Sequence, residues 1–169
     1  MFFQKYKKIK VVNGFSIAEM LIALTITAVL LTAVAIAFNA SLMNYGENQD
    51  MYKAINNARQ ALFRITTELR TASSVVYHPG DPNSCTLDNA SSDNITFEYR
   101  ANDQQLYLVN NDTVSEYLLC EDITAMSFVK NPTQDNSQTK SVLISMTVQS
   151  GNAEQTLAAA AVVRKVIDQ

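Results

Sequence analysis

Apolar and polar positions follow different rules in three successive stretches of this chain. From Phe15 to Phe38, 24 residues, the run is apolar on every side, with Glu19 the only ionisable residue and no Gly or Pro. As a helix rising ~1.5 Å per residue, that run extends roughly 36 Å, enough to cross a ~30 Å hydrocarbon core. Farther on, Met51, Ile55, Ala58, Leu62, Ile65, Leu69 and Ala72 recur three and four positions apart, with Asn, Gln, Arg and Glu between them. That spacing places one apolar seam on an otherwise polar helix. The seam covers only about three heptads and strand-like segments follow at once, so we read it as a helix lying on a sheet rather than a coiled coil. Gly46 is the only Gly in this helical region and marks a local weakness between the two portions.

Beyond residue 72 the pattern changes to β-branched and aromatic residues punctuated by turn formers. Expected strands are Ser74–Tyr77, Ile95–Arg100, Gln105–Val109, Val114–Leu119, Ala125–Lys130, Val142–Gln149 and Gln155–Val166. Ile95, Phe97 and Tyr99 alternate with Thr96, Glu98 and Arg100, as a half-buried strand requires. Asn102-Asp103 and Asn111-Asp112 read as tight turns between antiparallel neighbours. Pro79–Asp93 and Asn131–Lys140 read as surface loops, and the Ala158–Ala161 run fits helix or strand, its Val162, Val163 and Val166 flank favouring strand. The expected fold class is α+β: a long N-terminal helix, membrane-spanning over 15–38 and an amphipathic stem over 39–72, packed on an antiparallel β domain over 73–169.

Charge adds direction. Lys5, Lys7, Lys8 and Lys10 precede the apolar run, and every acidic residue comes later. The basic flank stays on the cytoplasmic side, which puts the residues after Phe38 outside. A secretory signal has a shorter apolar core followed by a small-residue cleavage site; here the small/polar pair Asn13-Gly14 comes before a longer run. Without residues 1–14, nine Lys/Arg face sixteen Asp/Glu, a net charge of −7, which argues against a phosphate-binding surface for nucleic acid.

Gly14, Phe15, Ser16, Ile17, Ala18, Glu19, Met20, Leu21, Ile22, Ala23 and Leu24 then carry a resemblance. With the basic leader and the span they resemble the type IV prepilin family, whose signature is a Gly, usually a Phe, and a short run containing Glu that opens a long apolar helix. The resemblance implies a leader over 1–14, cleavage after Gly14 by a prepilin peptidase and N-methylation of Phe15. It also implies that Glu19 directs assembly by pairing with the N-terminal amine of a neighbouring subunit. A lone carboxylate in a span is costly, so a partner for Glu19 is expected on physical grounds too. Glu68, Leu69, Arg70 and Ala72 at the stem's end, the ITFEYR strand and the LLCEDITAMSF segment resemble the minor pseudopilin J and minor pilin W groups. The absence of a helix-bending Pro before Pro79 agrees with a minor rather than a major component.

The implied protein is a non-enzymatic subunit of a secretion pseudopilus or pilus-like filament. Its partners are the peptidase, other pilin-like helices and an inner-membrane assembly platform; it uses no cofactor and binds no nucleic acid directly. It waits in the bacterial inner membrane with its C-terminal domain outside. The rival reading is a signal-anchored binding or enzymatic ectodomain that uses the span only as a tether.

Other candidate chemistry is sparse. Cys85 and Cys120 fall outside the cytoplasm on this topology, where a disulfide persists; closing a loop of about 35 residues, it would contribute roughly 3–4 kcal/mol. Asp81, Asp88 and Asp93, with Asn83 and Asn89, supply hard oxygens that suit Ca²⁺, without any calcium-loop spacing. His78 stands alone beside Pro79, and no nucleophile-elbow, HExxH, CxxC or Gly-rich phosphate motif occurs. Arg64 and Glu68 are placed to pair at i,i+4 on the stem.

Overall fold

The protein's structure, a computed structural model, describes residues 14–78, 80–134 and 138–164. One helix, α1, runs Ile17–Thr71. Eight strands follow: β1 Ser74–Val75, β2 Ser84–Asp88, β3 Asn94–Arg100, β4 Gln105–Asn110, β5 Ser115–Cys120, β6 Ile123–Pro132, β7 Thr139–Ser150 and β8 Ala153–Val162. The fold is α+β, as the residue patterns require. The chain separates between Asn44 and Tyr45 into two compact units. From Tyr45 on, the stem forms one unit with the strands.

In the first unit the apolar helix has no buried residue. Its mean hydropathy reaches 2.6 over an 18-residue window, so it is long and apolar enough to cross a membrane. The few hydroxyls it carries bond within the helix: Thr25, Thr27, Thr32 and Ser41 donate to the carbonyls of Ile22, Ala23, Ala28 and Ala37 at 2.8, 2.7, 2.8 and 3.0 Å. Such internal satisfaction is what a lipid environment demands of polar side chains.

In the second unit, α1 from Ala54 to Leu69 buries Ala54, Ala58, Ala61, Leu62, Ile65, Thr66 and Leu69. They share one core with Phe97, Leu87, Leu106, Ile123, Ile144, Met146 and Val148 from the strands. The expected seam is therefore the buried face, except that Met51 and Ile55 remain half-buried. The strands form two antiparallel meanders, a five-stranded sheet in the order β1-β2-β3-β4-β5 and a three-stranded sheet β6-β7-β8. The sheets are tied together where the chain leaves the first. Buried Tyr99 donates its hydroxyl to the Ile123 carbonyl at 3.0 Å, and the Ile123 and Phe128 amides donate to Gln104 and Pro82 carbonyls at 2.9 and 2.7 Å.

Two sequence expectations change here. Pro79–Asp93 is not one loop, because Ser84–Asp88 forms β2, pairing with β3 and burying Cys85 and Leu87 alternately. Its two inward side chains fill the core between β1 and β3, which outweighs the surrounding turn residues. The expected first strand is shorter, with only Ser74 and Val75 in register with β2. The far end of the expected Gln155–Val166 strand lies outside the described residues, and β8 ends at Val162. The Ala run is strand: Ala159 and Ala161 turn inward while Ala158 and Ala160 are exposed.

Candidate functional site

Of the expected leader over 1–14, residues 1–13 with their four lysines lie outside the described residues. Gly14, Phe15 and Ser16 precede the helix as irregular backbone, all exposed, and a Cβ at Gly14 would meet nothing within 4 Å. The Gly14–Phe15 bond is therefore exposed and unencumbered.

From Ser16 the helix is opened by a pair of reciprocal caps. The Ser16 amide donates to Glu19 Oε2 at 2.9 Å, and the Ala18 amide donates to Ser16 Oγ at 3.2 Å. This is a capping box, S-x-x-E: the first-turn amides have no carbonyl partner within the helix, and two side chains satisfy them instead. The negative charge of Glu19 also lies at the positive end of the helix dipole. Glu19 thus has a partner within its own chain, and Ser16 is the second capping residue of the segment. The sequence reading passed over Ser16 although the Ser-x-x-Glu spacing ahead of an apolar run was its visible signal. Beside Glu19, the side chains of Phe15, Met20, Ala23, Leu24 and Thr27 line an apolar groove along the helix.

The cysteine expectation is overturned. Cys85 and Cys120 are both buried free thiols. They lie on β2 and β5 of one sheet, with β3 and β4 between them. At ~4.8 Å per strand the separation is about 14 Å, twice the reach of a disulfide. Burial pushes both thiols up, each to about 11. At neutral pH they are protonated, apolar and inert.

The calcium candidates are not brought together either. Asp81 accepts from the Asn83 amide at 2.9 Å and the Ser84 hydroxyl at 2.5 Å, and the Ser84 bond chiefly holds its carboxyl below the usual range. Asp88 accepts from Ser74 at 2.7 Å and Asn94 at 2.8 Å, which lower it likewise, the Ser74 bond most. Asp93 accepts from Asn89 Nδ2 at 3.1 Å. Asp81 and Asp93 are spent on their own turns and Asp88 on the neighbouring strands β1 and β3, and among the described residues no three potential metal ligands converge. His78 turns its ring to the Tyr77 carbonyl at 3.1 Å and is exposed. Arg64 and Glu68 do not pair; among the described residues the ion pairs are Lys53–Asp50 and those of Arg100 with Glu98 and Glu116. No protein-family model matches the chain, and no curated protein matches it.

Proposed function

We propose that this chain is a pilin-like subunit without enzymatic activity, tethered in the inner membrane by Phe15–Phe38 and later built into a filament through the same helix. Cleavage after Gly14 by a prepilin peptidase would free the Phe15 amine, which is then methylated. The carrying observation is the first unit itself: an apolar helix with no buried residue, opened by Glu19 four residues past an accessible Gly-Phe bond. An apolar helix with nothing packed on it needs lipid or other helices, and a bundle of like helices supplies the second. Glu19, one turn from the new N-terminus, is placed to accept a neighbouring subunit's charged amine. Such a pair sets axial register where apolar surfaces alone would slide. The resemblance to minor pseudopilins and minor pilins, and the location with the β unit outside the cytoplasm, belong to the same proposal.

The test is the mature N-terminus, read by mass spectrometry with and without a prepilin peptidase. The expected chain begins at methylated Phe15 only when the peptidase is present; a chain still beginning at Met1 refutes the reading. The capping box calls for two variants of Glu19. Glu19→Gln keeps an oxygen that can cap Ser16 but loses the charge, whereas Glu19→Ala loses both. Assembly lost in both variants supports the ion pair, while assembly restored by Gln reduces Glu19 to a cap.

A further inference from the structure

On the stem, the face turned away from the β strands is unusual. Phe63 is 74% exposed, and Tyr45 and Tyr52 are comparably open. At ~100° per residue these three fall within about 20° of one another, roughly opposite Ala54, Ala61 and Ile65, which are buried. Within about 60° of that line the only charged residues are Arg59 and Arg70, both exposed. Exposed aromatic residues flanked by arginine have the composition of an interface centre. Because the buried face of the same helix meets the strands, this chain's own β unit leaves the aromatic line open.

A complementary surface exists elsewhere on the second unit. The turn after β4 and the edge strand β5 expose Val114 at 85%, Tyr117 at 56% and Leu118 at 50%. Between Asn111 and Asp122 the charges are Asp112, Glu116, Glu121 and Asp122, with no Lys or Arg. Arg100, on β3, engages Glu116 and Glu98, and among the described residues Asp112, Glu121 and Asp122 form no ion pair, although Glu121 and Asp122 line a cleft with Lys53 of the stem. Among the described residues β5 also has a strand neighbour only on its β4 side, which leaves one edge of backbone groups open.

We propose that the Tyr52–Arg59–Phe63–Arg70 face of one stem docks on the 111–122 hairpin and β5 edge of a second copy of this chain. Aromatic and arginine side chains meet valine, tyrosine, leucine and carboxylates, so apolar and charge complementarity agree. The two surfaces are different, so the contact is heterologous: each copy keeps one free stem face and one free hairpin, and addition continues in one direction. This rests on the subunit reading above and names the lateral contact that an assembled subunit makes.

The experiment places a photo-crosslinking phenylalanine analogue at position 63 of the full-length chain in membranes, alongside the prepilin peptidase. The expected product is a crosslinked dimer whose second peptide lies within residues 111–122. Arg59→Glu with Arg70→Glu should lower its yield about tenfold, and Asp112→Lys with Glu121→Lys in the other copy should restore it. Crosslinks that map elsewhere on the chain, no dimer, or a charge reversal without effect overturn the contact. Cleavage after Gly14 is read in the same sample. Cleaved chains without the dimer sink the contact and leave the subunit reading standing, whereas uncleaved chains with the dimer do the reverse.

Discussion

The two portions of α1 on either side of Asn44 belong to one continuous helix and solve opposite problems. Ile17–Asn44 is apolar all round and buries nothing; Tyr45–Thr71 is mostly polar and buries seven residues. Apolar content alone therefore says little about where a helix finds its stability. A helix apolar on one stripe is completed by its own chain, and a helix apolar on all sides is completed by something else. Here the first kind anchors the β unit, and the second supplies the surface on which the proposed function rests.

Truncation on either side of the border tests that difference most strongly. Ile65 is fully buried between the stem and the strands. Ile65→Ala should destabilise the second unit by about 3 kcal/mol, lost contacts and the cavity adding together. Leu30→Ala removes as many methyl groups from an exposed position. It should move the unfolding of that unit by less than about 0.5 kcal/mol. Denaturant titration in detergent, followed by near-UV circular dichroism, separates the two; equal losses would mean that the border at Asn44 has no energetic meaning.

A second contrast concerns ionisation, which stabilises the second unit only within a pH window. The folded state holds the Cys85 and Cys120 protons more tightly than the unfolded chain does, with both thiols raised from 9.0 to about 11. Their contribution is whole below the ordinary thiol pKa and is lost as pH rises through that interval; for fully buried Cys85 the loss is of order 2 kcal/mol. Asp81 and Asp88 work in the opposite sense. Their carboxyls are lowered in the fold, so their contribution is present above the ordinary carboxylate pKa and disappears as pH falls below it. Stability of the β unit should therefore decline both above about pH 9 and below about pH 4. Reductant should leave the unfolding midpoint unchanged at neutral pH, because no disulfide is there to break; a midpoint that falls on reduction would restore the bridge.

How much of this could be read from residues alone depended on whether the signal was local. The two helical patterns and the strands β3 to β8 carry their own periodicity, and their ends shift by only a few residues. β2 escaped because its signal is two side chains, Cys85 and Leu87, set among Pro, Gly, Asn and Asp. The division into two sheets has no local signal either; it depends on Asp122, whose φ of 61° turns the chain out of β5 and into β6. The disulfide failed for the same reason: 35 residues of separation fix a loop length, whereas strand order fixes a distance. Glu19 was legible by its isolation in an apolar run, yet its immediate partner, the Ser16 amide, required the geometry of the first turn.

The smallest predicted effect probes where the second unit bears strain that the first does not. Val114 adopts φ 53° in the turn between β4 and β5, a left-handed conformation in which a branched Cβ crowds the backbone. It is also among the most exposed residues of the unit, so no packing within its own chain offsets the strain. Asn tolerates that conformation without the chain entropy that Gly would bring, and Val114→Asn should stabilise the unit by about 1 kcal/mol, or roughly 4 °C in midpoint. If the hairpin is the docking surface proposed above, the same variant should lower the position-63 crosslink while raising the midpoint. A gain in stability with undiminished crosslinking would make Val114 a strained residue with no part in the contact. A valine that costs its own fold and strengthens contact with a second copy would tie that strain to the join between subunits.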